Sequence, residues 1–293
     1  LPIINITIKK TEIRGVLSEG MICSLEELGL ETNSEGIAII EENIAEKHNL
    51  GSLAKDLLLL DDYIFDLAIT ANRPDGMSVI GIAREISALL KTKLSQPKIN
   101  DSYNFKKFKT NYLSNYFTNN NGIYSISFID NVNGSLSSPL WMKDRIEKSG
   151  IKSINLLVDI TNYILLEQGQ PLHAFDKDKL SSILGREVKG VDFGVRNAKE
   201  GETLKTLDGN TYSLNENVSI IVCSDIPIAI AGVIGGFESS VSETTKSIVL
   251  EAAVFNPVSI RKSSKEIGIR TESSSRFEKG ISYKNTINSL SRA

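Results

Sequence analysis

From about residue 185 onward the chain is a succession of short β-prone runs: Val191–Val195, Val218–Cys223, Ile226–Ile230 and Ile248–Leu250. Before them lie two segments with helical spacing. Ser138-Pro139 is read as opening a helix that ends at Gly150, a proline start and a glycine stop. Asn155–Gln168 is read as a second helix stopped by Gly169 and Pro171, with Leu156, Leu157, Ile160, Ile164 and Leu165 as its buried stripe. Helices followed by clustered strands predict an α+β fold with a mixed sheet rather than alternating βαβ units. Ile123–Ile129 adds a strand ahead of the helices and Pro257–Ile267 a helix after the strands. This domain occupies residues 121–293.

The first 120 residues are organised differently. Residues 1–60 alternate β-prone runs with Gly15, Gly20, Gly29, Gly36 and Gly51, as in part of a small β domain. Within them Ser24 to Leu28, with Glu27 three residues after the serine and Gly29 as stop, predicts one capped helical turn. Residues 61–92 predict a strand-turn-helix piece. Tyr63, Phe65, Leu67 and Ile69 alternate as in a half-buried strand, and Asn72-Arg73-Pro74-Asp75-Gly76 is a turn. Val79, Ile82, Ala83, Ile86, Leu89 and Leu90 fall at helical spacing, with Arg84 and Glu85 outside that stripe. So small a piece must pack on something else, expected to be a part outside these 293 residues. Residues 93–120, polar and rich in Lys and Asn, are the expected linker, although its lysines could touch phosphates.

A chain of 293 residues fits about two domains. With 41% hydrophobic and 24% charged residues it is ordinary for a globular protein. No apolar run approaches the ~18 residues needed to span a bilayer, and no signal peptide is visible. The expectation is a cytoplasmic protein without a membrane partner, its two cysteines, Cys23 and Cys223, buried and reduced. The chain opens on Leu1 in a strand-like run, Ile3 to Ile8, which suggests a piece of a larger protein. A net charge of −3 gives no support for self-sufficient nucleic-acid binding.

Three segments carry chemistry. The first is Thr161-Asn162-Tyr163 followed by Gly169-Gln170-Pro171-Leu172-His173-Ala174-Phe175-Asp176. The second is Ala231-Gly232-Val233-Ile234-Gly235-Gly236, and the third Leu250-Glu251-Ala252-Ala253. His173 is one of only two histidines, and a lone histidine is more often structural than catalytic. Gly-x-x-Gly-Gly permits close backbone approach, but no Lys-Ser or Lys-Thr follows to make a phosphate loop. Glu251 interrupts an apolar strand. It lies either at a wet sheet end or where it meets a polar ligand group, because burying an unpaired carboxylate costs several kcal/mol. No Ser-His-Asp or Cys-His set is visible, and two histidines make no ordinary metal site.

Taken together, these segments resemble the beta subunit of bacterial-type phenylalanyl-tRNA synthetase. The resemblance runs from Val158 through Asp176, continues through Ala231–Gly236 and Leu250–Ala253, and ends in Gly268-Ile269-Arg270-Thr271-Glu272-Ser273-Ser274-Ser275-Arg276-Phe277-Glu278-Lys279-Gly280. Gly20 to Ser24 and Glu27 to Leu30 are similar to the end of that family's OB-fold tRNA-binding module. Thr70 to Asp75 and Gly81 to Glu85 are similar to its small strand-helix domain. Ala71, Lys152 and Ile281-Ser282 depart from the usual Pro, Arg and Val-Asp.

The resemblance implies a B3/B4-like domain that hydrolyses tRNA mischarged with tyrosine. It places His173, Thr161 and Asn162 near the ester and assigns Glu251 to the tyrosine hydroxyl. Ala231, Gly232 and Ala253 would line the wall, and Lys152 would make a phosphate or substrate contact. It implies tRNA(Phe) and an alpha subunit as partners in an alpha2beta2 enzyme, with ATP and Mg2+ used elsewhere in that enzyme and no cofactor here. The rival readings are a non-catalytic tRNA-binding or scaffold segment and a protein-interaction module on the same fold.

Overall fold

The computed structural model describes residues 5–30, 33–34, 36–40, 42–46, 48–99 and 122–293. Most of the expected linker, with Lys106, Lys107 and Lys109, and the start of the run Ile3 to Ile8 lie outside them. The chain divides into two compact units, Leu1–Tyr63 and Ile64–Ala293.

The first unit holds one hairpin, β1 (Thr11–Ile13) paired antiparallel with β2 (Val16–Ser18). Arg14 and Gly15 both have positive φ, 54° and 80°, which is what a two-residue turn matched to the strand twist requires. Two four-residue helices follow, α1 (Glu42–Ala45) and α2 (Ala54–Leu57). The helical turn at Ser24 carries the reciprocal cap: Glu27 N–H donates to Ser24 Oγ at 3.1 Å and Ser24 N–H to the Glu27 carboxylate at 2.8 Å. With one strand pair among the described residues, the expected OB-fold module is not confirmed. Cys23 is half-buried rather than buried.

In the second unit residues 64–70 form no strand, and Phe65 and Leu67 are exposed. Their alternation alone implies half burial, but no strand pairs with them among the described residues. Helix α3 (Val79–Leu90) forms as its spacing predicts, capped by Ser78, whose Oγ accepts from Gly81 N–H. It docks through Ile80 and Gly81, which are buried, while Val79, Ile86, Leu89 and Leu90 of the apolar stripe face outward. The docking partner lies in the same unit. Gly169 packs against Ser78, whose Cβ would lie 3.1 Å from a Cβ there, and Arg276 Nε donates to the Met77 carbonyl at 3.3 Å.

The remainder is α+β. After β3 (Ile123–Asp130) come α4 (Leu140–Lys148), α5 (Leu156–Gln168), β4 (Leu172–Asp176) and α6 (Lys177–Leu184). Strands β5 (Phe193–Asn197), β6 (Thr203–Lys205), β7 (Thr211–Ser213), β8 (Ser219–Cys223), β9 (Ile226–Ile230), β10 (Ile234–Gly235) and β11 (Ser247–Val254) follow. Helices α7 (Pro257–Ile267), α8 (Glu272–Lys279) and α9 (Tyr283–Arg292) end the chain. All described strand pairs are antiparallel, where the sequence pointed to a mixed sheet. One sheet has the order β3-β11-β4, a second β10-β9-β8-β5, and β6 pairs with β7.

Pairing and alternation decide what each face of the first sheet covers. Tyr124, Ile126 and Phe128 on β3 lie opposite Ala253, Glu251 and Val249 on β11, and His173 and Phe175 on β4 lie opposite Glu251 and Val249. This face meets the larger core, which includes Phe193, Val195, Ile220, Ile230 and Phe277. The other face, with Ala174, Leu250 and Ala252, packs with Leu157 of α5 and Leu290 of α9. Each fully buried side chain of this size contributes about 1.5–3 kcal/mol.

Local signals position α5. Asn155 caps it by accepting from Val158 N–H, and Gly169, with φ 74°, stops it. Asp159 is fully buried and accepts from Ser138 Oγ at 2.6 Å, Ser153 Oγ at 2.5 Å and Ile154 N–H at 2.9 Å. Ser138 therefore does not cap α4, whose N-cap is Pro139 and lacks a side-chain cap. The Ser138-Pro139 pair expected to open this helix is thus split: Pro139 stands at the N-cap and the buried carboxylate takes the Ser138 hydroxyl.

Candidate functional site

Between the two sheets lies a cavity of about 60 Å³. His173 of β4, Glu251 of β11, Gly232, Gly235 and Phe277 of α8 are among the residues around it. It has room for a few waters; a cavity of roughly 150 Å³ is needed to take benzene. An aromatic ligand must therefore widen it or reach through its mouth.

His173 and Glu251 are cross-strand partners. Glu251 is only 5% exposed, and its Oε2 has no hydrogen-bond partner among the described residues. His173 is half-buried as a residue, but its Nε2 is shielded from solvent and also unpartnered. Its ring meets Phe175 edge-on, centroids 4.5 Å apart. Burial pushes the Glu251 carboxyl up to about 8 and the His173 imidazole down to about 4. At neutral pH both are thus predominantly uncharged, one an acid and the other a free base. A third buried polar atom, the Tyr124 hydroxyl, is unpartnered on the same sheet face. Its pKa is raised well above the ordinary value, first by burial and then by the charges of Glu251 and Cys223.

The glycines make this wall possible. Gly232 has φ 66°, and a Cβ there would lie 2.8 Å from Phe277 Cδ2 and 3.1 Å from Phe255 Cδ2. A Cβ at Gly235 would lie 2.8 Å from His173 Nε2 and 3.1 Å from Leu207 Cδ1. Nearby backbone N–H groups are already engaged: Val233 donates to Ile230 and Gly236 to Ile228.

Of the residues singled out in the sequence, His173, Glu251 and Gly232 come together at the cavity. Ala231 is fully buried immediately before Gly232, its N–H donating to Ser219. Ala253, on the Glu251 face of β11, gives its carbonyl to Gln170 Nε2 at 2.9 Å. Thr161 is buried on α5 with its hydroxyl bonded to the Val158 carbonyl at 2.6 Å. Ala231, Ala253, Thr161, half-buried Asn162 and exposed Lys152 are not among the residues that line the cavity. Tyr124 escaped the sequence reading because alternation gives its face and not its neighbour. Phe277 lies in the segment Gly268 to Gly280, but nothing local marks it as a wall. Among the described residues no group of three His, Cys, Asp or Glu is placed to hold a metal ion.

The B3/4 domain family matches residues 120–293. A phenylalanine–tRNA ligase beta subunit from Prochlorococcus marinus (strain MIT 9312) is 67% identical over 99% of this chain and 36% of its own length. The subunits from Prochlorococcus marinus (strain MIT 9313) and Synechococcus sp. (strain CC9902) are 50% and 45% identical, each over 100% of the chain, and over 36% and 35% of their own lengths. The chain thus spans about a third of the relatives it matches. A pocket built from its glycines, a domain match over more than half its length and relatives aligned from end to end lead to one conclusion: the chain belongs to the B3/4 domain family, in the form found in phenylalanine–tRNA ligase beta subunits.

Proposed function

We propose that this chain supplies the editing step of a phenylalanine–tRNA ligase, hydrolysis of tRNA(Phe) wrongly charged with tyrosine. The observation that carries the reading is the pairing of Glu251 with His173 across two strands, each offering an unpartnered buried polar atom at one cavity. Tyrosine differs from phenylalanine by one hydroxyl, which an apolar synthetic site rejects only about 10²-fold. A second site that needs the hydroxyl corrects the error. The phenol supplies the partner that Glu251 Oε2 lacks, and a carboxyl group serves in either protonation state, since the neutral acid both donates and accepts. Phenylalanine leaves the oxygen orphaned, at about 1–3 kcal/mol.

With the ring at Glu251, the ester lies toward His173. Water adds to the ester carbonyl carbon, the bond from that carbon to the ribose oxygen breaks, and the ribose oxygen takes a proton. The neutral His173 imidazole orients the water or the ribose through Nε2. Thr161, Asn162, Ala231, Ala253 and Lys152 would act around this pair, by supporting the wall or meeting the RNA. Charging with phenylalanine, with its ATP and Mg2+, belongs to the alpha subunit of an alpha2beta2 enzyme in the cytoplasm, and no step here passes through a metal.

Calorimetry of the 293-residue chain with free amino acids tests the basis of selectivity: tyrosine should bind and phenylalanine should bind at least several-fold more weakly. In the assembled enzyme, Glu251→Ala should lose the preference for Tyr-tRNA over Phe-tRNA. Equal binding of the two amino acids, or unchanged preference in the variant, would rule the reading out.

A further inference from the structure

The mouth of the cavity continues into a feature that neither His173 nor Glu251 explains. Past β10 the chain pairs with the tip of the β6–β7 hairpin. Leu207 N–H donates to the Gly235 carbonyl at 3.1 Å, Phe237 N–H donates to the Lys205 carbonyl at 2.9 Å, and Thr206 lies opposite Gly236 in antiparallel register. In such a pair residues two apart share a face. Gly235 and Phe237 therefore share one with Leu207 and Lys205, and burial agrees: Leu204 and Thr206 are buried while Lys205 and Leu207 are exposed. Gly235 identifies this as the cavity's face, because a Cβ there would touch His173 Nε2 and Leu207 Cδ1. One pleat repeat outward, about 6–7 Å, stands Phe237.

Phe237 is 46% exposed, and the Lys205 ammonium sits 4.3 Å from its ring centroid. Lys205 has no carboxylate partner among the described residues. The row leading out of the cavity is thus imidazole, leucine methyls, an open aromatic ring and a cation. An aromatic face beside a free ammonium suits single-stranded nucleic acid, where bases stack and phosphates seek positive charge. It also accounts for how an acidic chain can take an RNA end: the grip needed at the site is one base and one phosphate.

Resting on the editing reading above, we propose that Phe237 and Lys205 receive the terminal nucleotide of the mischarged RNA. Its base stacks on the open face of the Phe237 ring, and Lys205 swings from the ring to the adjacent phosphate. The ribose then spans from Phe237 back to His173, which sets the ester at the cavity mouth.

The test is Tyr-tRNA deacylation by the assembled enzyme together with calorimetry of free tyrosine. Phe237→Ala should lower kcat/KM roughly tenfold, as expected for loss of one stacked base, and leave free-tyrosine affinity at the wild-type value. Phe237→Trp should restore the rate. Lys205→Ala should reduce the slope of log(kcat/KM) against log salt by about one contact's worth. Wild-type deacylation by Phe237→Ala, alongside a defective Glu251→Ala, would overturn this inference alone. So would a Phe237→Ala loss of free-tyrosine affinity that matches its loss of rate. A wild-type chain that binds phenylalanine as tightly as tyrosine would instead remove the editing reading, and this inference with it.

Discussion

Replacing Glu251 by glutamine separates the electrostatics of the site from its catalysis. Burial raises the carboxyl from 4.5 to about 8. Over that interval the folded chain keeps a proton that the unfolded chain releases. The group's contribution is therefore most favourable below pH 4.5, and stability is lost as pH rises toward 8. At about 1.36 kcal/mol per unit, roughly 3.5 units set a ceiling of about 5 kcal/mol. Water entry and relaxation of a buried charge reduce it, so about 2–3 kcal/mol between about pH 5 and 8.5 is the working expectation. His173, lowered from 6.5 to about 4, acts with opposite sign: stability is lost as pH falls through that window. It is present in both proteins and cancels in their difference. Trp141, the chain's one tryptophan, lies on α4 and reports the second unit by fluorescence. In urea melts the wild-type midpoint should fall relative to Glu251→Gln by about 1 M across this range, for an m value of about 2–3 kcal/mol/M. Only the pH dependence matters, since the amide can shift both ends equally. Parallel profiles would show that Glu251 is not a buried acid, and the argument from its orphaned oxygen would fail.

Two further substitutions probe the wall and its support. Gly235→Ala drives a methyl into the His173 ring and Leu207; Tyr-tRNA deacylation should drop more than about tenfold at a stability cost of about 1–3 kcal/mol, and an unaltered rate would mean that the imidazole need not stand there. Asp159→Ala leaves Ser138, Ser153 and the Ile154 N–H without their buried acceptor; urea unfolding should show a loss of about 3 kcal/mol or more, and a loss under about 1 kcal/mol would contradict the role given to this network.

What the sequence conveyed was local. Helix α7 spans the run read as a helix, Pro257–Ile267, β9 matches its expected run, and α5 begins after Asn155 and stops at Gly169 as expected. Each is governed by residues within a turn of its ends. What it withheld depends on partners distant in the chain. Residues 63–69 alternate like a strand but have no strand partner among the described residues. The stripe on α3 looks like a buried face, yet the buried residues of the helix are Ile80 and Gly81, beside the contact of Gly169 with Ser78. For Glu251 two environments were open, a wet sheet end or a ligand site. The central place of β11, paired on both sides, buries it and resolves the choice in favour of the cavity. Tyr124 illustrates the same limit, since a tyrosine in a strand shows no sign that its hydroxyl will lack a partner.

The spacing between Glu251 and His173 is set by strand pairing and not by the length of chain that joins them. The intervening polypeptide includes the β6–β7 hairpin and the β8–β9 turn at Ser224-Asp225. Residues can be inserted or deleted at such tips while the two side chains stay one inter-strand step, about 4.8 Å, apart. A single residue inserted within β4 or β11 would do the opposite: it turns one partner to the far face of the sheet, among Leu157 and Leu290, and separates the pair at a stroke. Length variation at the β8–β9 turn therefore leaves the Glu251–His173 spacing intact, whereas along these two short strands it is forbidden, and the spacing of the pair is inherited as a register.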